Sequence, residues 1–76
     1  MIGELDIVAL VHDLPEHGLK AGDIGTVVLL HDDQGYEVEF TTFGGDTIAI
    51  VTVRKDEVRP MRGDEIHHAR PLHTTA

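Results

Sequence analysis

Tyr36-Glu37-Val38-Glu39-Phe40-Thr41 (YEVEFT) is the stretch on which the fold turns. Tyr36, Val38 and Phe40 alternate with Glu37, Glu39 and Thr41, so every second side chain seeks a core while the others meet water. A period of two predicts a strand with one buried face and does not suit a helix. Before it, His31-Asp32-Asp33-Gln34-Gly35 is a short polar connection ending in glycine, as a hairpin loop would be. Ile24 to Leu30 (IGTVVLL) then reads as the preceding strand, with Gly25 marking a bulge or a close backbone approach. Further upstream, Leu5 to Val11 (LDIVALV) is β-branched and apolar. The segment between these two strands, His12 to Asp23, carries Pro15, Gly18 and Gly22 and reads as a long structured loop.

Downstream, Phe43-Gly44-Gly45-Asp46 makes a turn and Thr47 to Val53 (TIAIVTV) a fourth strand. Arg54 to Glu57 reads as one tight or 3₁₀ turn leading into a short last strand, Val58 to Met61. Five short strands with a long first loop and short later connections predict an all-β domain, a small five-stranded SH3-like barrel over residues 1–61. Closure would remove the exposed strand edges that so small a chain can hardly protect otherwise. From Arg62 to Ala76 the alternation ends, and a loosely ordered C-terminal tail is expected unless Ile66 and Leu72 dock.

Size and composition narrow the function. Seventy-six residues suffice for one domain, and a chain of this length buries only about 60% of its unfolded surface. Cysteine is absent, which excludes disulfides, thiolate metal sites and a cysteine nucleophile. Apolar runs are too short to span a membrane, and Met1 leads almost directly into a patterned segment. The expectation is therefore a cytoplasmic bacterial protein with no membrane attachment. Fourteen Asp and Glu against six Lys and Arg give a net charge of -8. Phosphate neutralisation supplies most of a nucleic-acid binder's affinity, so nucleic acid is not the expected partner. Arg54, Lys55, Arg59 and Arg62 could form a local basic patch of the kind a KOW-like nucleic-acid-binding barrel would use. They are interleaved with Asp56, Glu57, Asp64 and Glu65, the pattern of a solvated mixed-charge surface.

No catalytic set emerges. Serine and cysteine are both absent. Glu37 and Glu39 share a strand face at about 7 Å from one another, too exposed for an acid-base pair. The Gly22-Asp23-Ile24-Gly25 turn opens a strand and not a helix, so it is no phosphate loop. A metal-binding reading would join His31, Asp32 and Asp33 to His12 and Asp13 as nitrogen and oxygen ligands for zinc or nickel. Asp and His are also ordinary loop residues. His67, His68 and His73 could take up metal adventitiously. No metal site and no cofactor is expected, and the chain is read as non-enzymatic.

The arrangement Leu5-Asp6, then Asp13-Leu14-Pro15-Glu16-His17-Gly18-Leu19, then Gly22-Asp23-Ile24-Gly25-Thr26-Val27-Val28 resembles the DUF4926 family of small bacterial proteins of unknown function. Tyr36 to Phe40, Thr47-Ile48-Ala49 and Val58-Arg59-Pro60 extend the resemblance over roughly residues 4 to 61. It implies a small barrel and brings no activity with it, because fold alone does not choose a function.

One surplus remains. Leu5, Ile7, Ala9 and Val11 make one face of the first strand, yet Val8 and Leu10 on the other face are apolar too, and Val27 to Leu30 and Ile48 to Val51 repeat the pattern. A barrel this small has room inside for one face of each strand. Part of the surplus is expected to lie exposed as an interface. The expected function is a protein–protein interaction module, an accessory, antitoxin-like or immunity-like partner of another bacterial protein, or a homodimer. The expected contact residues are Val8, Leu10, Leu14, Pro15, Glu16, His17 and Phe43.

Overall fold

The structure is a computed structural model and describes residues 2–32 and 35–72. Five strands, β1 (Ile7–Leu10), β2 (Ile24–His31), β3 (Gly35–Thr41), β4 (Thr47–Arg54) and β5 (Val58–Pro60), form one antiparallel sheet in the order β4-β3-β2-β1-β5. Single 3₁₀ turns occupy Pro15–His17 and Lys55–Glu57, and no α-helix occurs among the described residues. All five expected strands and the turn before the last are therefore present, the first one shortened to four residues.

Closure into a barrel is not made by hydrogen bonds. β5 pairs with β1 and no ladder joins it to β4 among the described residues, so the sheet is open between these two strands. The turn at Lys55–Glu57 separates the two edges, and β5 is only three residues long with Pro60 at its end. A short edge strand ending in proline offers little to a passing strand.

Two bulges bend the sheet around its core. Val28 is the extra residue of β2, between the pairs Val27–Val38 and Leu29–Glu37. Ile48 is the extra residue of β4, between Phe40–Ala49 and Thr41–Thr47. Each bulge adds local twist and bends its strand, letting a five-stranded sheet curl over one apolar cluster. That cluster holds Val8, Leu10, Val27, Tyr36, Val38, Phe40, Val51, Val53 and Val58, roofed by Leu14 and Leu19 from the first loop. At roughly 1.5–3 kcal/mol for each large apolar side chain removed from water, this cluster is the main stabilising term.

The β3 alternation runs as the sequence predicts, with Tyr36, Val38 and Phe40 inward. In β1 the expected contact residues Val8 and Leu10 face inward, and Ala9 on the other face is buried as well. Val8 and Leu10 are buried in the core, whereas Leu5, Ile7 and Val11 stand exposed. Pairing decides this: Val8 lies opposite Gly25 and Leu10 opposite Val58, both on the inner side. Gly25 marks a close approach, and the bulge of β2 falls three residues later.

Candidate protein-binding groove

The first loop is folded back on itself. Leu14 and Leu19 bridge each other through paired backbone hydrogen bonds of 2.9 and 3.1 Å, and both side chains turn into the core. What remains outside is the Pro15-Glu16-His17 turn, closed by Gly18 in the left-handed region at φ 70°, where its N–H donates to the Pro15 carbonyl at 3.1 Å. Glycine adopts that conformation without the clash a Cβ would bring.

Asp23 closes the loop. Its Oδ2 accepts the Lys20 N–H at 2.9 Å, and its own N–H donates to the Lys20 carbonyl at 2.9 Å. This local turn fixes the carboxylate before any distant partner arrives.

The distant partner is Arg70. Its Nε donates to Asp23 Oδ1 at 2.9 Å, its Nη2 to Asp23 Oδ2 at 2.6 Å, and the same Nη2 to the Gly18 carbonyl at 3.2 Å. A two-pronged guanidinium–carboxylate pair of this kind is among the strongest polar contacts a surface offers. Both side chains are largely shielded, Asp23 at 18% and Arg70 at 25% exposure. Burial pushes the Asp23 carboxyl up, but the Arg70 guanidinium and the Lys20 N–H outweigh it and hold the group below its ordinary 3.8.

The tail is tied at a second point. Arg59 Nη1 donates to Glu65 Oε1 at 2.9 Å, and the Arg62 N–H donates to the same oxygen at 2.7 Å. The Arg59 hydrogen bond, helped by Arg62, lowers the Glu65 carboxyl to about 2. Ile66 is fully exposed and Leu72 half exposed. Residues 62–72, the strap, are thus placed by these two arginine–carboxylate contacts and not by docking of Ile66 and Leu72; His73 to Ala76 lie outside the described residues.

Between this strap and the sheet lies a groove of about 500 Å³. Ile24, Gly25, Phe40 and Ile48 line its sheet side, and His67 to Arg70 with Leu72 line the other. Phe43 borders it and is fully exposed. The turn that carries Phe43 is rigidly bonded: the Thr42 N–H donates to the Asp46 carbonyl at 2.8 Å, the Gly45 N–H to the Thr42 carbonyl at 2.9 Å, and the Asp46 N–H to Thr42 Oγ1 at 3.1 Å. A smaller recess on the far side of Arg70 is lined by Pro15, Gly18 and Lys20. Phe43, the groove, Arg70 and the Pro15 turn therefore border on one another in sequence across the surface.

Of the seven expected contact residues, Pro15, Glu16, His17 and Phe43 are exposed, and Pro15 and Phe43 belong to this surface. Val8, Leu10 and Leu14 are buried, so no partner reaches them in this fold. The exposed apolar surplus falls instead on Leu5, Ile7, Val11, Val28, Leu29, Leu30 and Ile50. Ile7, Thr26, Glu39 and Ile50 form one row across four strands on the outer face.

The other expected chemistry disperses. His12 Nε2 lies 3.2 Å from Glu57 Oε2, and His31 Nε2 lies 3.0 Å from Glu37 Oε2. Asp33 is outside the described residues. Among the described residues no group of three or more His, Asp or Glu side chains stands close enough to hold a metal. Thr52 and Thr47 donate to Glu37 and Glu39 at 3.4 and 2.7 Å, so each acid has its own neighbour. Arg54, Arg59 and Arg62 each face a carboxylate, Asp56, Glu65 and Asp64 respectively. No helix among the described residues is long and apolar enough to cross a membrane.

Sequence reasoning missed the Arg70 clamp. Its partners are 47 and 52 residues away, and no local pattern joins them. The available signal was Arg70-Pro71, since a residue before proline is held extended, as a strap requires.

The chain belongs to the family described as "Domain of unknown function (DUF4926)", whose model matches residues 4–60. No curated protein and no solved structure matches it. The matched span carries all five strands and Asp23 and ends before the strap that carries Arg70.

Proposed function

We propose that this chain is a non-catalytic protein-interaction module of SH3-like barrel type, an accessory or inhibitory partner of another protein. The strand order β4-β3-β2-β1-β5 and the long first loop support the barrel reading, with the two bulges supplying its curvature. The observation that carries the function is Phe43: a fully exposed aromatic held out by a bonded turn beside a largely apolar groove. Exposing a phenylalanine costs solubility, and interfaces are enriched in such anchors. The charge of -8 favours partners with a basic rim, which it steers toward encounter.

The nucleic-acid reading has less support. The arginines it needs already face carboxylates, so a phosphate would have to displace Asp56, Asp64 and Glu65. The metal reading lacks a convergent ligand set among the described residues.

Selection of displayed random peptides on the immobilised chain tests the proposal. Enriched peptides should bind the native chain and lose at least about tenfold in affinity on Phe43→Ser, the usual scale of an aromatic hot spot. No enrichment beyond that on an unrelated acidic protein would overturn it.

A further inference from the structure

We propose that the Asp23 carboxylate and the Gly18 carbonyl form a receptor for the arginine of an extended partner segment, and that Arg70 occupies it in cis as a built-in competitor. This inference rests on the protein-interaction reading and names the chemistry of the segment bound.

The receptor is complete without the tail. Asp23 is oriented by the Lys20 N–H, and the Gly18 carbonyl is presented by the left-handed turn that follows Pro15. Both belong to the domain that spans residues 4–60, whereas Arg70 does not. The acceptor set matches a guanidinium in particular. Two carboxylate oxygens receive Nε and Nη2 side by side, and a third acceptor takes the second proton of Nη2. A lysine ammonium is a single point donor and cannot span both carboxylate oxygens in that way.

Beyond the Arg59–Glu65 pair that ties the strap at its start, the occupant has little other hold. Ile66, His67, His68, Ala69 and Pro71 are exposed, and Leu72 is half exposed, so Arg70 is the side chain that anchors residues 66–72. A segment seated chiefly by one side chain is displaceable by another that offers the same side chain and fills the groove better. Phe43 and Ile48 stand where flanking apolar residues of such a segment would lie. The net charge of -8 draws basic segments toward the site. The partner is therefore an extended polypeptide with an arginine beside small or apolar residues.

A tethered competitor acts at an effective concentration on the order of 1 mM. Against a free peptide that binds the open site at about 100 μM, it lowers the apparent affinity about tenfold.

The test is calorimetric titration of the end-blocked peptide IHHARPL, residues 66–72, into the full chain and its variants. Arg70→Ala should bind the peptide, and Arg70→Lys, a second variant that keeps a cation in place, should bind it likewise. The native chain should bind it about tenfold more weakly. The double variant Arg70→Ala, Asp23→Asn should not bind while its amide spectrum stays that of a folded chain, because asparagine keeps an acceptor for the Lys20 N–H. A peptide with lysine in place of its arginine should lose at least about tenfold. Equal binding by native and Arg70→Ala chains would overturn the inference, as would no binding by either opened variant. So would free arginine binding as tightly as the peptide. Should the displayed peptides that depend on Phe43 carry no arginine, the inference fails while the interaction-module reading stands.

Discussion

A methyl group built on Gly25 would stand 2.5 Å from Val38 Cγ1, 2.9 Å from Phe40 Cε1 and 3.0 Å from the Glu39 carbonyl. The first two neighbours are packed core side chains and the third is backbone of the paired strand, so none yields cheaply. Overpacking of a filled core costs about 1–3 kcal/mol. Gly25→Ala should lie at the upper end of that range, read as a lowered denaturant midpoint with an unchanged slope. An unchanged midpoint would contradict the close approach of β2 to β3. The glycine was legible in the sequence as a point of strain, because an interior glycine in an apolar strand needs a reason. Which reason it had was not legible, since a bulge and a close approach leave the same mark. Val8 and Leu10 show the same limit in another form. Both faces of β1 are apolar, so alternation could not choose between them, and only the pairing with Gly25 and Val58 did.

Among the elements, the strands were legible and the strap was not. Strands announce themselves through short-range alternation and through the turns at their ends; β3 has both, and its two neighbours have the turns and a β-branched apolar run. The strap has neither: its position rests on two ion pairs, Arg70 with Asp23 and Arg59 with Glu65. The candidate site was accordingly half visible. Phe43 and Pro15 could be named from their turns, whereas Asp23 and Gly18 read only as loop punctuation.

Those ion pairs make the strap sensitive to acid. Asp23 is lowered from 3.8, and Glu65 from 4.5 to about 2. A carboxyl lowered in the folded chain contributes in full above its unfolded value and is lost as pH falls through its folded one. The strap should stay seated above about pH 4.5 and release as pH falls toward 2. The Arg70 Nε–H chemical shift would report this: displaced downfield by the carboxylate at neutral pH, and moving to the free-guanidinium position once Asp23 is protonated. A free-guanidinium shift already at neutral pH would contradict the clamp.

At the scale of the whole molecule, an 8.3-kDa chain leaves apolar side chains such as Ile7 and Ile50 on its outer sheet face and an exposed aromatic beside a groove. Two routes could cover them, a second copy or a foreign partner. The outer row places Glu39 between Ile7 and Ile50, with Glu37 nearby, so a two-fold contact across that face would set like charges against each other. A net charge of -8 on each copy adds a long-range repulsion that is strongest at low ionic strength. Self-association is therefore opposed by the same acidity that draws a basic partner. Light scattering on the full chain at low ionic strength tests this most directly. A mass of 8.3 kDa, unchanged in Phe43→Ser, is the predicted result and leaves the groove open to a foreign segment. A stable dimer that Phe43→Ser converts to monomer would contradict it, because the chain's partner at this surface would then be itself.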